Sequence, residues 1–296
     1  MRRRFFEDVK LVSPVTTWIP LKYNVQSGVA LHLRDLNLAS NVTALLIHGV
    51  ADGAFVWNEF ATDLANLCNV TAVDLRGHGD SDHDPDHHYT FAQYVMDIRS
   101  LIEHLRLDEI VLVGHSMGAE IAVNIAPELG KRLRALVIVD AGPENNASTS
   151  EYLQRQLRQA HRSYARVDEY AKWLASQRQL ADPALLGRLA AESLALCGDG
   201  RYRPKCDPAV LDIITAESDD SWWLPALRRT MAPVLVVRGQ GSAALSRRTA
   251  ALMRTAAREG EFMEIACAGH AVMTDNVAGF SRAVVPFINR ALSRVF

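Results

Sequence analysis

The chain has 296 residues, 49% of them hydrophobic, enough apolar side chain to bury a large core in one elaborate domain or in a domain carrying an inserted subdomain. Its 32 basic and 34 acidic residues leave a formal charge of −2, which argues against the basic face that nucleic-acid binding needs. No apolar run reaches the roughly 18 residues of a membrane span, and the basic start Arg2-Arg3-Arg4 is followed by Glu7, Asp8 and Lys10 rather than a signal core, so a soluble cytoplasmic protein is expected.

In chain order, the segments TALLIHG (43–49), NVTAVDLRG (69–77), EIVLVGHS (109–116), RALVIVDAG (134–142), PVLVVRG (233–239) and EFMEIACAGH (261–270) are β-rich and end in glycine or polar residues. Their hydrophobicity is mostly continuous rather than alternating, as in parallel strands covered on both faces. Between them lie helical patterns; in 90–106, Phe91, Tyr94, Val95, Ile98, Leu101, Ile102 and Leu105 form one apolar stripe. The alternation predicts an α/β fold with a doubly wound, mostly parallel sheet. The rhythm breaks between Pro143 and Pro225, where helical stretches at 151–178, 183–196 and 207–217 precede Trp222-Trp223 and no strand is evident. The predicted organisation is a core of residues 1–142 and 226–296 with a helical cap insertion at 143–225. Cys68, Cys197, Cys206 and Cys267 form no C-x-x-C pair, so neither a zinc knuckle nor a redox dithiol is expected. Cys197 and Cys206 are a conceivable bridge only under oxidising conditions.

The segment VGHSMGAE (113–120) places Ser116 at the carboxyl end of a strand, where open parallel sheets bind ligands. Gly114 and Gly118 permit a sharp strand-to-helix turn that exposes the serine hydroxyl and leaves the N–H of Met117 at a helix start, facing a developing oxyanion. Serine needs a base, and His270, after Gly269 at another strand end, is the candidate. In IHGVADGAFVW (47–57) the N–H of Val50 supplies the second oxyanion donor, with His48 structural and Trp57 packed near the loop.

The segments HGVADGAFVW, VDLRGHGDSD, VGHSMGAE, PVLVVRG and AGHAVMTDN resemble the successive signature segments of the α/β-hydrolase family. The resemblance covers nearly all of the chain outside 143–225. It implies a serine nucleophile, a helical cap and no cofactor or metal. It also implies a catalytic acid in a loop that often reads R-G-x-x-S-D-x-L-S. Here that loop is RGQGSAALS (238–246), and Ala243 stands where the aspartate is usual. No acid occurs between Gly239 and Arg258. Asp140 ends the strand beside the one bearing Ser116, and adjacent strands lie about 4.8 Å apart. It is therefore the expected third member, with Glu144, Asp219 and Asp220 as alternatives.

Other features carry less. The loop SDHDPDHHY (81–89), with His83, His87 and His88, lacks helical ligand spacing and reads as solvated rather than metal-binding. Asp74 and Arg76 brace a turn, and Glu120 either orients neighbours or is solvated. Trp57, Trp222 and Trp223 are candidate substrate contacts. The expected activity is hydrolysis of a carboxylic ester, lactone or thioester of a small molecule through an acyl-enzyme, with Ser116, His270 and Asp140 in line. Alternatives are a carbon–carbon bond hydrolase or a cofactor-free ring-cleaving dioxygenase using the same residues, or a non-catalytic ligand receptor.

Overall fold

The computed structural model describes residues 18–25, 28–36, 40–144, 147–214 and 219–294. Arg2-Arg3-Arg4 and the end of the expected 207–217 helix lie outside them. Among the described residues ten strands are formed: β1 (Ile19–Asn24), β2 (Ala30–Leu36), β3 (Val42–Ile47), β4 (Asn69–Val73), β5 (Glu109–His115), β6 (Leu133–Val139), β7 (Leu194–Leu196), β8 (Tyr202–Pro204), β9 (Val234–Gly239) and β10 (Gly260–Ile265). The helices are α1 (Asn58–Leu64), α2 (Phe91–His104), α3 (Met117–Leu129), α4 (Ala147–Ala160), α5 (Val167–Gln177), α6 (Pro183–Ser193), α7 (Trp223–Arg229), α8 (Arg247–Ala256), α9 (Val272–Asp275) and α10 (Val277–Leu292).

Eight strands make one sheet in the order β1-β2-β4-β3-β5-β6-β9-β10, parallel from β4 to β10. The two antiparallel strands at this end of the sheet, the edge strand β1 and its neighbour β2, were not anticipated; β1 is mostly solvent-exposed and so carries no continuous apolar run. In the central strands successive side chains point to opposite faces. Leu45, Ile47, Leu112, Leu136 and Ile138 pack with α2, α3, α7 and α8, whereas Ala44, Leu46, Val111, Val113 and Val137 pack with α1 and α10. Both faces are dry, which is why these strands read as unbroken hydrophobic segments. From β3 the chain runs to β4 on one side and to β5 on the other, so the sheet opens a crevice at the carboxyl ends of β3 and β5. That is where Gly49 and Ser116 lie.

Between β6 and α7 the chain builds α4, α5, α6 and a small antiparallel ribbon of β7 and β8. Two details differ from expectation. The 151–178 stretch is two helices, because after Ala160 the chain turns and Tyr164 exchanges backbone hydrogen bonds of 2.9 Å with Tyr202. The 183–196 stretch ends as a helix at Ser193 and continues as β7, a three-residue strand too short to leave a period in the sequence. Asp182 starts α6 by accepting from the N–H groups of Ala184 at 2.9 Å and Leu185 at 3.1 Å, with Pro183 in the first turn. Tyr170, Leu174, Leu185 and Leu189 join the α1/α10 side of the core, so these helices continue its packing. Among the described residues no helix is long and apolar enough to cross a membrane. All four cysteines are free thiols.

Candidate active site

Ser116 occupies the corner between β5 and α3 with φ +53° and ψ −124°, a strained conformation for a residue bearing a Cβ. The corner is held because Ser116 N–H donates to the Val139 carbonyl at 3.1 Å and the Ser116 carbonyl accepts from Ala119 N–H at 2.8 Å. Close backbone approach closes it further. A Cβ on Gly118 would stand 2.3 Å from the Ile47 oxygen, and one on Gly49 would stand 2.9 Å from Ser116 Cβ. Glycine at both positions lets the end of β3 press against the serine, which brings Val50 beside it.

His270 lies in the turn after β10, with Nδ1 2.8 Å from Asp140 Oδ2. Asp140 is fully buried, while the His270 side chain is 34% exposed. The carboxylate also accepts from Gly239 N–H at 3.0 Å and from the Ser242 hydroxyl. Held by three donors, it has one available orientation. An ionised carboxylate only accepts, so the His270 proton sits on Nδ1 and the Nε2 lone pair is left for a hydroxyl. Among the described residues neither Ser116 Oγ nor His270 Nε2 has a hydrogen-bond partner, and both residues line the same cavity. A serine–histidine contact of this kind commonly closes only when substrate is bound.

The other acids are engaged elsewhere. Glu144 accepts from Ser246 N–H at 2.5 Å and Thr249 Oγ1 at 2.7 Å at the start of α8, and Asp219 accepts from Ser221 N–H at 3.0 Å. Asp220 faces Glu120, whose carboxyl is pushed up to about 7 by burial and by that neighbouring charge. Glu120 is therefore not simply solvated. The 239–246 loop, which lacks an acid at Ala243, contributes donors to Asp140 instead.

Among the described residues the N–H groups of Val50 and Met117 donate to no protein acceptor, as an oxyanion pair requires. His115, a residue to which the sequence reading gave no role, is 2% exposed and packs its ring 4.7 Å from that of His270. Its Nε2–H donates to the His270 carbonyl at 2.9 Å, which fixes the histidine turn. Burial, and then the nearby His270 imidazole, holds the His115 pKa well below the usual histidine range, so it stays neutral.

The cavity measures about 560 Å³, within the range of small-molecule sites. Its floor includes Val50, Ser116 and His270, and its roof comes from α4, α5 and α6, with Tyr152, Trp173 and Leu189 among the lining. The candidate tryptophans are not in its wall, a correction to the expectation. Trp57 is fully buried against Phe60 and Phe280, Trp223 is 1% exposed, and Trp222 stacks on Trp223 with its ring 5.2 Å away. Trp173 lines the wall instead; it sits mid-helix in α5, and nothing in the sequence distinguished it from an ordinary helix residue.

Asp74 and Arg76 do brace the turn after β4. Asp74 joins His32 Nδ1 at 2.7 Å and Ala54 N–H at 2.6 Å. Arg76 is fully buried between Asp84 at 2.6 Å and Asp97 at 2.5 Å. The 81–89 loop is accordingly not all solvated, because Asp84 is 5% exposed. His48 is structural: buried, with Nε2 accepting from Leu75 N–H at 3.0 Å.

The profile of the alpha/beta hydrolase family matches residues 44–283. The chain is similar to 2-(acetamidomethylene)succinate hydrolase of Mesorhizobium japonicum, with 31% identity over 227 residues, 77% of this chain and 79% of that one. It is also similar to N-formylmaleamate deformylase of Pseudomonas putida, with 31% identity over 256 residues, 84% of this chain and 89% of that one. A solved structure of E-2-(acetamidomethylene)succinate hydrolase shares the fold with a TM-score of 0.81 at 24% identity, over 92% of this chain and 99% of that one. With the sheet, the serine corner and the family profile in agreement, this chain belongs to the alpha/beta hydrolase family.

Proposed function

We propose that the chain is a cofactor-independent serine hydrolase that removes an acyl group from a small molecule through a covalent acyl-enzyme. The observation that supports this reading most is the 2.8 Å contact between His270 Nδ1 and the buried Asp140, at the rim of a cavity that Ser116 also lines. Ser116 Oγ attacks the substrate carbonyl as His270 Nε2 takes its proton, and Asp140 steadies the resulting imidazolium. The N–H groups of Val50 and Met117 hold the oxygen that gains charge. Nε2–H then protonates the leaving group, water repeats the attack on the acyl-enzyme, and Ser116 regains its proton.

The bond is an ester, lactone or thioester on the motif reading. The names of the two relatives, an acetamido compound and an N-formyl compound, favour a second reading in which the acyl group sits on nitrogen. Both use the same residues and the same intermediate. Turnover of p-nitrophenyl acetate and of N-acyl substrates separates them; a β-diketone tests carbon–carbon cleavage, and oxygen uptake with a hydroxyquinolone tests ring cleavage. Ser116→Ala is expected to abolish turnover and labelling by a fluorophosphonate, with an unchanged circular dichroism spectrum. Asp140→Asn is expected to lower kcat by about 10⁴. Full turnover by Ser116→Ala would remove the nucleophile assignment, and normal kcat in Asp140→Asn would place the acid elsewhere.

A further inference from the structure

The loop that carries Val50 is under strain. Gly49–Asp52 forms a turn in which Asp52 N–H donates to the Gly49 carbonyl at 3.3 Å, and Ala51 is held at φ +62°. Positive φ at that turn position is ordinarily left to glycine. A conformation of this kind persists only where its surroundings impose it. A side chain from the cap meets this turn. Arg178 follows α5 directly, its N–H donating to the Leu174 carbonyl at 2.7 Å. Its Nη2 lies 2.6 Å from Asp52 Oδ1, and its Nη1 lies 3.4 Å from Thr274 Oγ1 on α9, the helix that starts two residues after His270. The Arg178 and Asp52 side chains are only 16% and 11% exposed. One planar cation therefore spans the oxyanion turn and the histidine turn, a geometry that the point charge of a lysine does not reproduce.

We propose that Arg178 is a positioning residue through which the cap assembles the oxyanion hole, holding the Gly49–Asp52 turn at the angle that aims Val50 N–H and keeping it in register with the His270 turn. The proposal rests on the reading of Val50 N–H as an oxyanion donor. Arg178 lines the cavity, but its charge is matched by Asp52, so its contribution is geometry rather than a vacant anion site. The cap thereby determines more than which substrate fits. It also sets how well the core stabilises the transition state.

The test compares kcat, KM and the rate of fluorophosphonate labelling in the wild type, Arg178→Ala, Arg178→Lys and the double variant Arg178→Ala/Ala51→Gly, with p-nitrophenyl acetate as substrate. Arg178→Ala is expected to lower kcat and labelling by about 10² to 10³, the loss seen when one oxyanion donor is removed, while KM changes less than about threefold. Arg178→Lys is expected to restore only part of the loss. Glycine adopts positive φ without strain, so adding Ala51→Gly is expected to recover about tenfold in kcat. Should Arg178→Ala fail to fold, Asp52→Asn serves in its place, with the same fall in kcat expected at an unchanged KM. A rise in KM at constant kcat would mean that Arg178 grips substrate, and would overturn the proposal. A fall in kcat that Ala51→Gly does not relieve would also overturn it, since the arginine would then act elsewhere in the fold. A wild-type enzyme that never labels at Ser116 would remove the functional reading itself, whatever the variants do.

Discussion

Asp140 adopts φ +50°, a backbone angle that aspartate tolerates better than most residues with a side chain. Its N–H donates to the Val237 carbonyl at 2.8 Å, which ties the turn after β6 to β9, and its carboxylate is met by Gly239, Ser242 and His270. Glu120 is the opposite case, a carboxyl whose pKa is raised to about 7 by burial and by the neighbouring charge of Asp220. A folded-state pKa above the unfolded value means that the folded chain binds the extra proton. Stability is therefore highest below the unfolded pKa of about 4.5 and declines as pH rises through about 7. Glu120→Gln is expected to raise Tm at pH 8 by several degrees and to change it little at pH 4.5. Equal shifts at both values would show that Glu120 carries no buried charge.

At the scale of elements, the β5–α3 corner depends on how closely α3 can approach β3. Gly118→Ala drives a methyl group against the Ile47 carbonyl, which is backbone inside the sheet and has nowhere to go. The expected cost is about 1–3 kcal/mol of unfolding free energy, with kcat reduced because the corner must open; urea melts and steady-state rates measure both. A variant as stable and active as the parent would mean that the corner is softer than its contacts imply. How much of this was legible in the sequence varies by element. β3, β5, β6 and β9 announced themselves because burial on both faces leaves an unbroken apolar run. β1 stayed hidden because it lies at an exposed edge, and β7 and β8 because three residues are too few to show alternation. The break after Ala160 was hidden as well, since it depends on Tyr164 meeting Tyr202, a partner 38 residues away that no local pattern reveals.

For the whole molecule, the core and the roof of the site are joined through buried polar groups. Arg76 holds Asp84 and Asp97; Asp84 N–H donates to Tyr89 Oη at 3.0 Å; and Tyr89 donates to Asp207, beyond β8, at 2.7 Å. Arg76→Ala would strand two buried carboxylates, with an expected loss of about 3–5 kcal/mol, a large share of the roughly 5–15 kcal/mol that holds a domain folded. Chemical denaturation measures it, and Arg76→Ala combined with Asp84→Asn and Asp97→Asn is expected to recover much of the loss. A single variant with parental stability would show that the network is not under tension. The candidate site was legible only in part. Ser116, Asp140, His270 and the glycines around them sit at strand ends, where short-range chemistry marks them. Arg178, Trp173 and the rest of the cavity roof depend on how helices fold back over the sheet. Trp57 packs at its loop as expected and Trp223 is packed inside as well, so their role as candidate contacts does not stand, because an aromatic near a loop in sequence does not reveal which way it faces. If Asp140 is the acid of the proposed mechanism, the 240–246 turn contributes to it only the Ser242 hydroxyl, beside the N–H of Gly239 that precedes the turn. Substitutions at its exposed members Gln240 and Ala243 are therefore expected to leave turnover intact, whereas Leu245, buried in the core, and Ser246, which caps α8, are tied to the fold.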